Sequence, residues 1–213
     1  MIREQGATPL DSLQLAEPLA SQLRFLLEVD RLKSVVRGNR IADDSRRENS
    51  AEHSWHIALF ALVLAPHAME RVDVLRVVSM LLIHDVVEID CGDTLLYDAV
   101  GAATQAARET IAARRLFALL PAEQAAEMLA LWQEFEAAAT ADARFAKSVD
   151  RLQPVLLNHA VGGGTWADHD VDEARERALT CRIAEGAPAL WGVAEAIIKD
   201  AVYRGWLKPT PGT

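Results

Sequence analysis

Cysteine is scarce in this sequence. Cys91 and Cys181 are the only two, they lie far apart, and neither belongs to a C-x-x-C motif. The first residues, MIREQGATPLDSLQ, also lack the apolar core of a secretory signal peptide. These two absences favour a reducing compartment, and we expect a cytoplasmic location.

An excess of positive charge and long apolar runs are also lacking. The formal net charge of -9 argues against broad binding to nucleic acid or to an anionic membrane, although it is compatible with a local basic pocket. Charged residues interrupt every apolar stretch before it reaches the roughly 20 residues that span a bilayer. We therefore expect a small molecule as partner, with no nucleic acid and no membrane.

Alternation of apolar and polar residues, which is typical of a half-buried strand, does not extend over any useful length. Helical periodicity dominates instead, and it predicts an all-α fold. A chain of 213 residues is long enough for one substantial core, and no internal repeat or linker divides it. We predict a single-domain helical bundle over residues 1–213, with the glycines at 162–164 as the only candidate boundary.

The helices of the first half are predicted from periodicity and capping residues. The first helix should end near residues 37–38. The polar segment GNRIADDSRREN, residues 38–49, is predicted to be a loop, and Ser50 is predicted to cap the helix that follows it. A further helix should begin after Asp73 and continue to Gly92, because glycine commonly ends helices.

The second half is predicted to hold helices over residues 99–120, 121–138, 141–160, 171–185 and 188–206. Thr140 should cap the third of these, and Pro154 should bend it because proline has no N–H for the carbonyl of Asp150. Trp55 is expected in the core. Trp166 is expected to anchor the glycine-rich loop by packing, with stacking on a base as the alternative.

One apolar segment, MLLIHDVVEIDCGD at residues 80–93, contains a histidine next to an aspartate. A buried carboxylate without a partner costs several kcal/mol, so a compensating group is expected. On a helix, His84 and Asp85 point about 100° apart and can share one ligand, with Glu88 on the same side one turn later. A divalent cation would satisfy them, and ordinary hydrogen bonds are the alternative.

Two other segments offer residues for the same role. ENSAEHSWHIALFALVLA places His53 in the first turn of a predicted helix, and FAKSVDRLQPVLLNHA places Asp150 on a packed helix. His56, one turn after His53, is expected to pack or hydrogen-bond near the site, with metal binding as the alternative. Together with residues 84–85, these residues form an ordered H…HD…D pattern.

With this pattern the chain resembles the HD-domain metal-dependent phosphohydrolases. RRENSAEHSW, LLIHDVVEIDCGD and FAKSVDRLQ each resemble the branch that contains the 5′-deoxynucleotidases, and they span residues 46–153, about half of the chain. The resemblance implies one divalent metal bound by His53, His84, Asp85 and Asp150. This mixed set of nitrogen and carboxylate ligands suits Mn, Fe, Co, Ni or Zn better than Ca.

The resemblance also implies roles for two further acids. Glu88 would handle a proton at the attacking water, and Asp93 would be a second acidic group near the substrate. The alternative for Glu88 is an ordinary solvated helix residue.

A phosphate ester also needs a cation from the protein, and arginine offers a fork of donors that matches phosphate. The resemblance implies an arginine before the first histidine, and Arg37 is nearest to that spacing. Gly38, however, replaces the aromatic residue that stands beside this arginine in the bacterial deoxynucleotidase. Arg47 and Lys147 are further candidates for substrate binding, Arg40 and Arg46 compete with them, and a solvated charge or an ordinary ion pair is the alternative for each.

The function implied by these features is that of a phosphomonoesterase releasing nucleoside and phosphate from a (deoxy)nucleoside 5′-monophosphate. The resemblance further suggests a homodimer. The enzyme alternative is an HD hydrolase of another nucleotide, a triphosphate or an alarmone, although no lysine cluster suits extra phosphates. The alternative from another class is a non-catalytic, metal-containing nucleotide sensor, against which Glu88 and Asp93 argue.

Overall fold

The computed structural model describes residues 9–94, 96–97 and 99–210, and most of them are helical. The α-helices are α1 (Leu19–Val29), α2 (Ser50–Leu64), α3 (Val74–Ile83), α4 (Glu88–Cys91), α5 (Ala99–Phe117), α6 (Ala122–Ala137), α7 (Ala141–Ala160), α8 (Thr165–Asp168), α9 (Glu173–Thr180), α10 (Ile183–Gly186) and α11 (Pro188–Tyr203). Two short strands, β1 (Val36–Arg40) and β2 (Arg47–Asn49), form an antiparallel hairpin. The all-α prediction is confirmed, with the hairpin as a small addition.

The hairpin corrects two predictions about the first 50 residues. The first helix ends at Val29, a 3-10 turn follows at Asp30–Ser34, and the chain then extends into β1. Val35 and Val36 are β-branched and prefer extended backbone to helix. The segment predicted to be a loop therefore contains most of the hairpin, whose strands are too short to show alternation in the sequence.

The start of α2 corrects the predicted cap. Asn49, not Ser50, is the N-cap: its side chain accepts from the Glu52 N–H at 3.0 Å, and the Glu52 side chain accepts from the Asn49 N–H at 3.2 Å. This reciprocal capping box satisfies two backbone donors that would otherwise lack partners. The predicted cap of α3 is confirmed, because the Asp73 side chain accepts from Leu75 N and Arg76 N.

The helix predicted to continue from Asp73 to Gly92 is interrupted. α3 ends at Ile83, a 3-10 turn covers His84–Val87, and α4 resumes at Glu88. The indole N–H of Trp132 donates to the His84 carbonyl at 3.2 Å, and in a continuous α-helix that carbonyl would accept from the Glu88 N–H. Gly92, with φ of 75°, ends α4 as predicted.

Helix α7 lies at the centre of the larger hydrophobic core and packs against α2, α3, α6, α10 and α11. Thr140 caps it as predicted, and it runs through Pro154 to Ala160 as one helix; the bend at Pro154 stays a prediction. A second cluster joins α1, α5, α6 and the 84–87 turn around Phe25, Val87 and Phe117. Val86 and Val87 belong to this second cluster, and the His84 ring packs on Phe135 of the larger core, so both cores position the 84–87 turn.

The helix predicted over residues 171–185 is divided into α9 and α10 by a turn at Cys181 and Arg182. This turn brings Gly186 against the backbone of α7. A Cβ atom at Gly186 would lie 2.4 Å from the carbonyl carbon and oxygen of Arg144, so only glycine fits this contact. α10 thereby packs directly on the first turn of α7.

The two tryptophan predictions had different outcomes. Trp166 is 1% exposed, which confirms a packed anchor after the glycine-rich loop. Trp55 is 60% exposed, so its predicted core position was wrong. Helix α2 is apolar on nearly all sides, and its periodicity could not show which face would be buried. No helix in the described ranges is both long and apolar enough to cross a membrane, and the single domain over residues 1–213 stays a prediction.

Candidate functional site

A cavity of about 450 Å³ opens between α7, the 84–87 turn, α5 and α9. Seven of the residues singled out in the sequence line it: Arg37, His84, Asp85, Glu88, Asp93, Lys147 and Asp150. His53 lies behind the cavity wall, fully buried in the first turn of α2, with its Nε2 3.1 Å from Asp150 Oδ1. The structure therefore brings distant parts of the chain to one place.

The H…HD…D residues form a tight cluster. His53, His84 and Asp150 each offer one ligand atom, and these atoms all lie within 4.8 Å of one another. Asp85 adjoins them, with Oδ1 2.9 Å from His84 Nε2 and Oδ2 4.0 Å from His53 Nε2. His53, His84 and Asp150 are therefore close enough to contact a shared ion, and Asp85 lies beside them, where its role as the fourth ligand stays a prediction.

Hydrogen bonds on the outer side of each ring determine which nitrogen faces the cluster. His84 Nδ1 donates to the Leu81 carbonyl at 2.8 Å. His53 Nδ1 donates to Gln153 Oε1 at 3.1 Å, because Gln153 turns its NH₂ group towards Glu48 Oε1, 2.6 Å away. In the neutral state each imidazole thus presents the lone pair of Nε2 to the cluster.

In this neutral state the hydrogen-bond acceptors of the cluster, the histidine lone pairs and the carboxylate oxygens, face one another. The lone pair of His53 Nε2 faces a carboxylate oxygen, and His84 Nε2 is buried without a hydrogen bond. Burial lowers the pKa of His84, but Asp85 and Asp150 outweigh it and raise that pKa to about 10. Burial raises the pKa of Asp85, yet His84 and Arg37 bring it down to about 2. The cluster needs positive charge at its centre, and a divalent cation fits two imidazoles and two carboxylates.

Glu88 and Asp93 lie on the cavity wall beside this cluster. Ser50 Oγ donates to Glu88 Oε2 at 2.5 Å, so the residue predicted to cap α2 instead holds this acid. Burial and the neighbouring Asp85 raise the pKa of Glu88 to about 9. Burial also raises the pKa of Asp93, which follows Gly92 in the loop after α4. Both acids are therefore placed where a proton can be held.

Arg37 lies in β1 among four carboxylates. Its Nη1 is 2.9 Å from Asp85 Oδ2, 3.8 Å from Asp93 and 4.0 Å from Glu88, while its Nε is 3.5 Å from Glu48. Burial lowers its pKa, but these acids outweigh burial and raise it, so Arg37 stays charged. The hairpin places this cation at the edge of the proposed metal cluster.

The other predicted cations are engaged differently. Lys147 lines the cavity, but its Nζ is paired with Glu136 at 2.9 Å and lies over the Phe135 ring. Arg47 donates to the Gly38 carbonyl at 2.8 Å and does not belong to the lining of this cavity. Of the competing residues, Arg40 forms an ion pair with Asp44, and Arg46 forms one with Glu52. Substrate binding by Arg47 and Lys147 stays a prediction.

Three residues near the cluster were missed from the sequence. Gln153 and Glu48 are buried and orient His53, and Arg151 lines the cavity. Gln153 could have been found, because it lies three residues after Asp150 and therefore near the same face of α7. Arg151 also acts on another lining residue, because its positive charge lies near enough to the buried Glu176 to lower the pKa of that carboxyl group.

Comparison with known proteins gives a family and several relatives. The model of the HD domain matches residues 29–191. The chain is 31% identical over 137 residues to the 5'-deoxynucleotidase HDDC2 of Homo sapiens, covering 64% of this chain and 66% of that protein. It is 32% identical over 135 residues to the Bos taurus protein of the same name, covering 63% and 64%. The chain thus spans just under two thirds of the length of these relatives.

Two solved structures share the architecture. A crystal structure of a predicted metal-dependent phosphohydrolase from Magnetospirillum magnetotacticum is 52% identical, covers 90% of this chain and 96% of its own, and superposes with a TM-score of 0.86. The PH0347 protein of Pyrococcus horikoshii is 22% identical with a TM-score of 0.59, covering 85% and 99%, and shows the fold alone. Because the HD-domain model matches well over half of the sequence, and His53, His84, Asp85 and Asp150 converge in space, the chain belongs to the HD-domain family.

Proposed function

We propose that the protein is a metal-dependent phosphomonoesterase that releases nucleoside and phosphate from (deoxy)nucleoside 5′-monophosphates. The observation that carries this proposal is the cluster of two imidazole lone pairs and two carboxylates beside an acid-lined cavity. The names of the human and bovine relatives, which are 5'-deoxynucleotidases, support the substrate class.

In this proposal His53, His84, Asp85 and Asp150 hold one divalent cation, which can be Mn, Fe, Co, Ni or Zn. When bound, the cation supplies Lewis-acid activation of the phosphate ester and of water. Gln153 and the Leu81 carbonyl keep both histidines in the tautomer that binds a metal through Nε2.

Glu88 moves the proton in this scheme. Ser50 holds one of its carboxyl oxygens, and the residue lines the cavity next to Asp85. Burial raises its pKa, and its place beside Asp85 on the cavity wall allows Glu88 to pass a proton between water and the leaving alcohol. Asp93, whose Oδ1 is 3.8 Å from Arg37 Nη1, helps to orient the water.

The positive side chains of the cavity bind the phosphate in this scheme. Arg37 is buried, charged and adjacent to the cluster, so it is placed to contact a phosphate oxygen. Lys147 contributes if it exchanges Glu136 for substrate, and Arg47 would have to leave the Gly38 carbonyl. A cytoplasmic location and a homodimer stay predictions; size-exclusion chromatography with light scattering measures the latter.

The test is a phosphate-release screen over nucleotides, with each divalent metal added back to metal-stripped protein. We expect release from deoxynucleoside monophosphates with at least one metal. In the same preparation Glu88→Gln should keep its metal and bind nucleotide, while turnover falls by about 10²-fold or more. Asp90→Asn is the matched control, because Asp90 pairs with Arg115 away from the cavity and should turn over normally.

Other outcomes of the screen separate the alternatives. Nucleotide binding without phosphate release under any metal would favour the sensor. Turnover confined to triphosphates or alarmones would favour the other class of nucleotide hydrolase. Normal turnover in Glu88→Gln would transfer the proton-handling role to Asp93 or to water.

A further inference from the structure

The cavity extends beyond the metal cluster to a second end. Along α7 its lining continues from Asp150 to Pro154 and Val155, about 6 to 7.5 Å further along the helix axis. Beyond them it is lined by Thr165 of α8 and by Glu176 of α9. A ligand with its phosphate at the cluster would place its other end here.

Glu176 is the unexpected residue at this end. It is 1% exposed, yet it lines the cavity, and the hydroxyl of Tyr97 donates to its Oε2 at 2.7 Å. Burial raises the pKa of Tyr97, so its hydroxyl remains a donor, and Tyr97 occupies one oxygen of the carboxyl group. Neither residue takes part in the phosphate chemistry proposed above.

The surroundings of this pair suit a flat ring. Apolar side chains of Pro154, Val155 and Leu179 line the same end of the cavity, together with the hydroxyl-bearing Thr165 and Thr180. Apolar walls with a few convergent polar groups are typical of small-molecule pockets. Burial raises the pKa of Glu176, whereas the neighbouring Tyr97, Trp166 and Arg151 lower it and so favour the carboxylate form.

We infer that this end of the cavity is a nucleobase subsite in which Glu176, held by Tyr97, accepts a hydrogen bond from an exocyclic amino group of the base. The inference rests on the proposed function and names its substrate class more narrowly: nucleoside monophosphates of amino-bearing bases. A carboxylate accepts from the cytosine amino group, whereas the carbonyl oxygen that uracil carries at the same position is another acceptor. Placing that carbonyl against Glu176 leaves two buried acceptors unpaired, so the keto base is rejected.

A purely structural role is the competing explanation. Arg175 Nη2 donates to the Tyr97 carbonyl at 2.6 Å, so Tyr97 is already attached to α9 at a second point. In that case the Tyr97–Glu176 hydrogen bond only attaches Tyr97 to α9. Base preference distinguishes the two roles, because a structural fastener has no influence on which base is accepted.

The experiment compares deoxycytidine 5′-monophosphate with deoxyuridine 5′-monophosphate, which differ in the group at position 4 and in the proton on the adjacent N3. It also includes deoxyribose 5-phosphate, which has no base. We expect kcat/KM of the metal-loaded protein to favour the cytidine nucleotide by about 10-fold or more, the scale of one specific contact to a base edge. Glu176→Gln, which can still accept from Tyr97 and can also donate to a carbonyl, should bring the two nucleotides to near equality. Its turnover of deoxyribose 5-phosphate should equal that of the wild type.

Glu173→Gln is the matched control. Glu173 lies on the same helix, pairs with Arg177 and stands outside the lining of this cavity, so its base preference should match that of the wild type. Tyr97→Phe is a second variant in case Glu176→Gln does not fold, and it should weaken the preference while the aromatic ring is retained. Equal kcat/KM for the two nucleotides in the wild type, or an unchanged preference in the folded variants, would overturn the inference.

The subsite can also be tested without catalysis. Calorimetry with deoxycytidine and deoxyuridine, which carry no phosphate, should show tighter binding of deoxycytidine. If no phosphomonoester is hydrolysed with any metal, the proposed function fails, and this measurement still decides the subsite. Equal affinity of the two nucleosides would overturn the subsite even if phosphate release is normal.

Discussion

Gln153 allows the sharpest test of how the cluster is organised. It is fully buried in α7 between Glu48 and His53. Its NH₂ group donates to Glu48 Oε1, and its Oε1 accepts from His53 Nδ1. Gln153→Leu keeps a side chain of similar size but removes the hydrogen bonds to Glu48 and His53 and the longer one, of 3.3 Å, from Gln153 Nε2 to His56 Nδ1. Glu48 Oε1 then loses its partner, and His53 Nδ1 loses the acceptor that determines its tautomer.

The expected magnitude follows from the groups left behind. Each buried polar group without a partner costs about 1 to 3 kcal/mol, so two of them should lower the free energy of unfolding by roughly 2 to 6 kcal/mol. Loss of a residue that orients a metal-binding histidine typically weakens metal affinity by about 10- to 100-fold. Stability and metal affinity should therefore both fall.

The assay combines denaturant unfolding of the metal-free protein with metal titration against a competing chelator. Ser148→Ala is the control: Ser148 is also fully buried in α7, and its Oγ lies 2.9 Å from the carbonyl oxygens of Arg144 and Ile183, away from the cluster. It should lose about 1 kcal/mol of stability and keep its metal affinity. Metal affinity unchanged in Gln153→Leu would refute the positioning role of Gln153.

Three further predictions concern the ligands, the buried arginine and a helix contact. His84→Ala should contain no bound metal when measured by elemental analysis, and full occupancy would contradict the assignment. For the wild type, metal at about 100 times Kd should raise the free energy of unfolding by about 2.7 kcal/mol, and this increase should be absent in the variant. Arg37→Ala should retain metal while KM for the nucleotide rises by about 10-fold, since one charge-assisted contact to phosphate is lost, and Arg37→Lys should restore little; an unchanged KM would move the role to another cation. Gly186→Ala should strongly lower the free energy of unfolding, measured with denaturant, because its Cβ would meet the α7 backbone. Gly192→Ala is the control: this position in α11 is in open space, so alanine should raise the free energy of unfolding by up to about 1 kcal/mol. Equal effects of the two substitutions would contradict the close packing of α10 on α7.

Local features of the sequence were sufficient for much of the fold and for the identity of the cluster. Asp73 and Thr140 cap their helices with their own side chains, so only neighbouring residues decide those starts. The H…HD…D residues were identified as candidate ligands from their type and chain order together with the resemblance to the HD-domain family. None of these features depends on a distant contact.

Tertiary contacts decided the rest, because the groups involved are far apart in the chain. The indole N–H of Trp132 donates to the His84 carbonyl, and the helix that the local sequence favours is interrupted at this point. The tautomer of His53 depends on Gln153, 100 residues away, and the bond between Tyr97 and Glu176 spans 79 residues. The sequence by itself determined a helical chain that carries the proposed metal ligands in the H…HD…D order. Packing between distant segments decided which ring nitrogen of each histidine faces the cluster and which side chains line each end of the cavity.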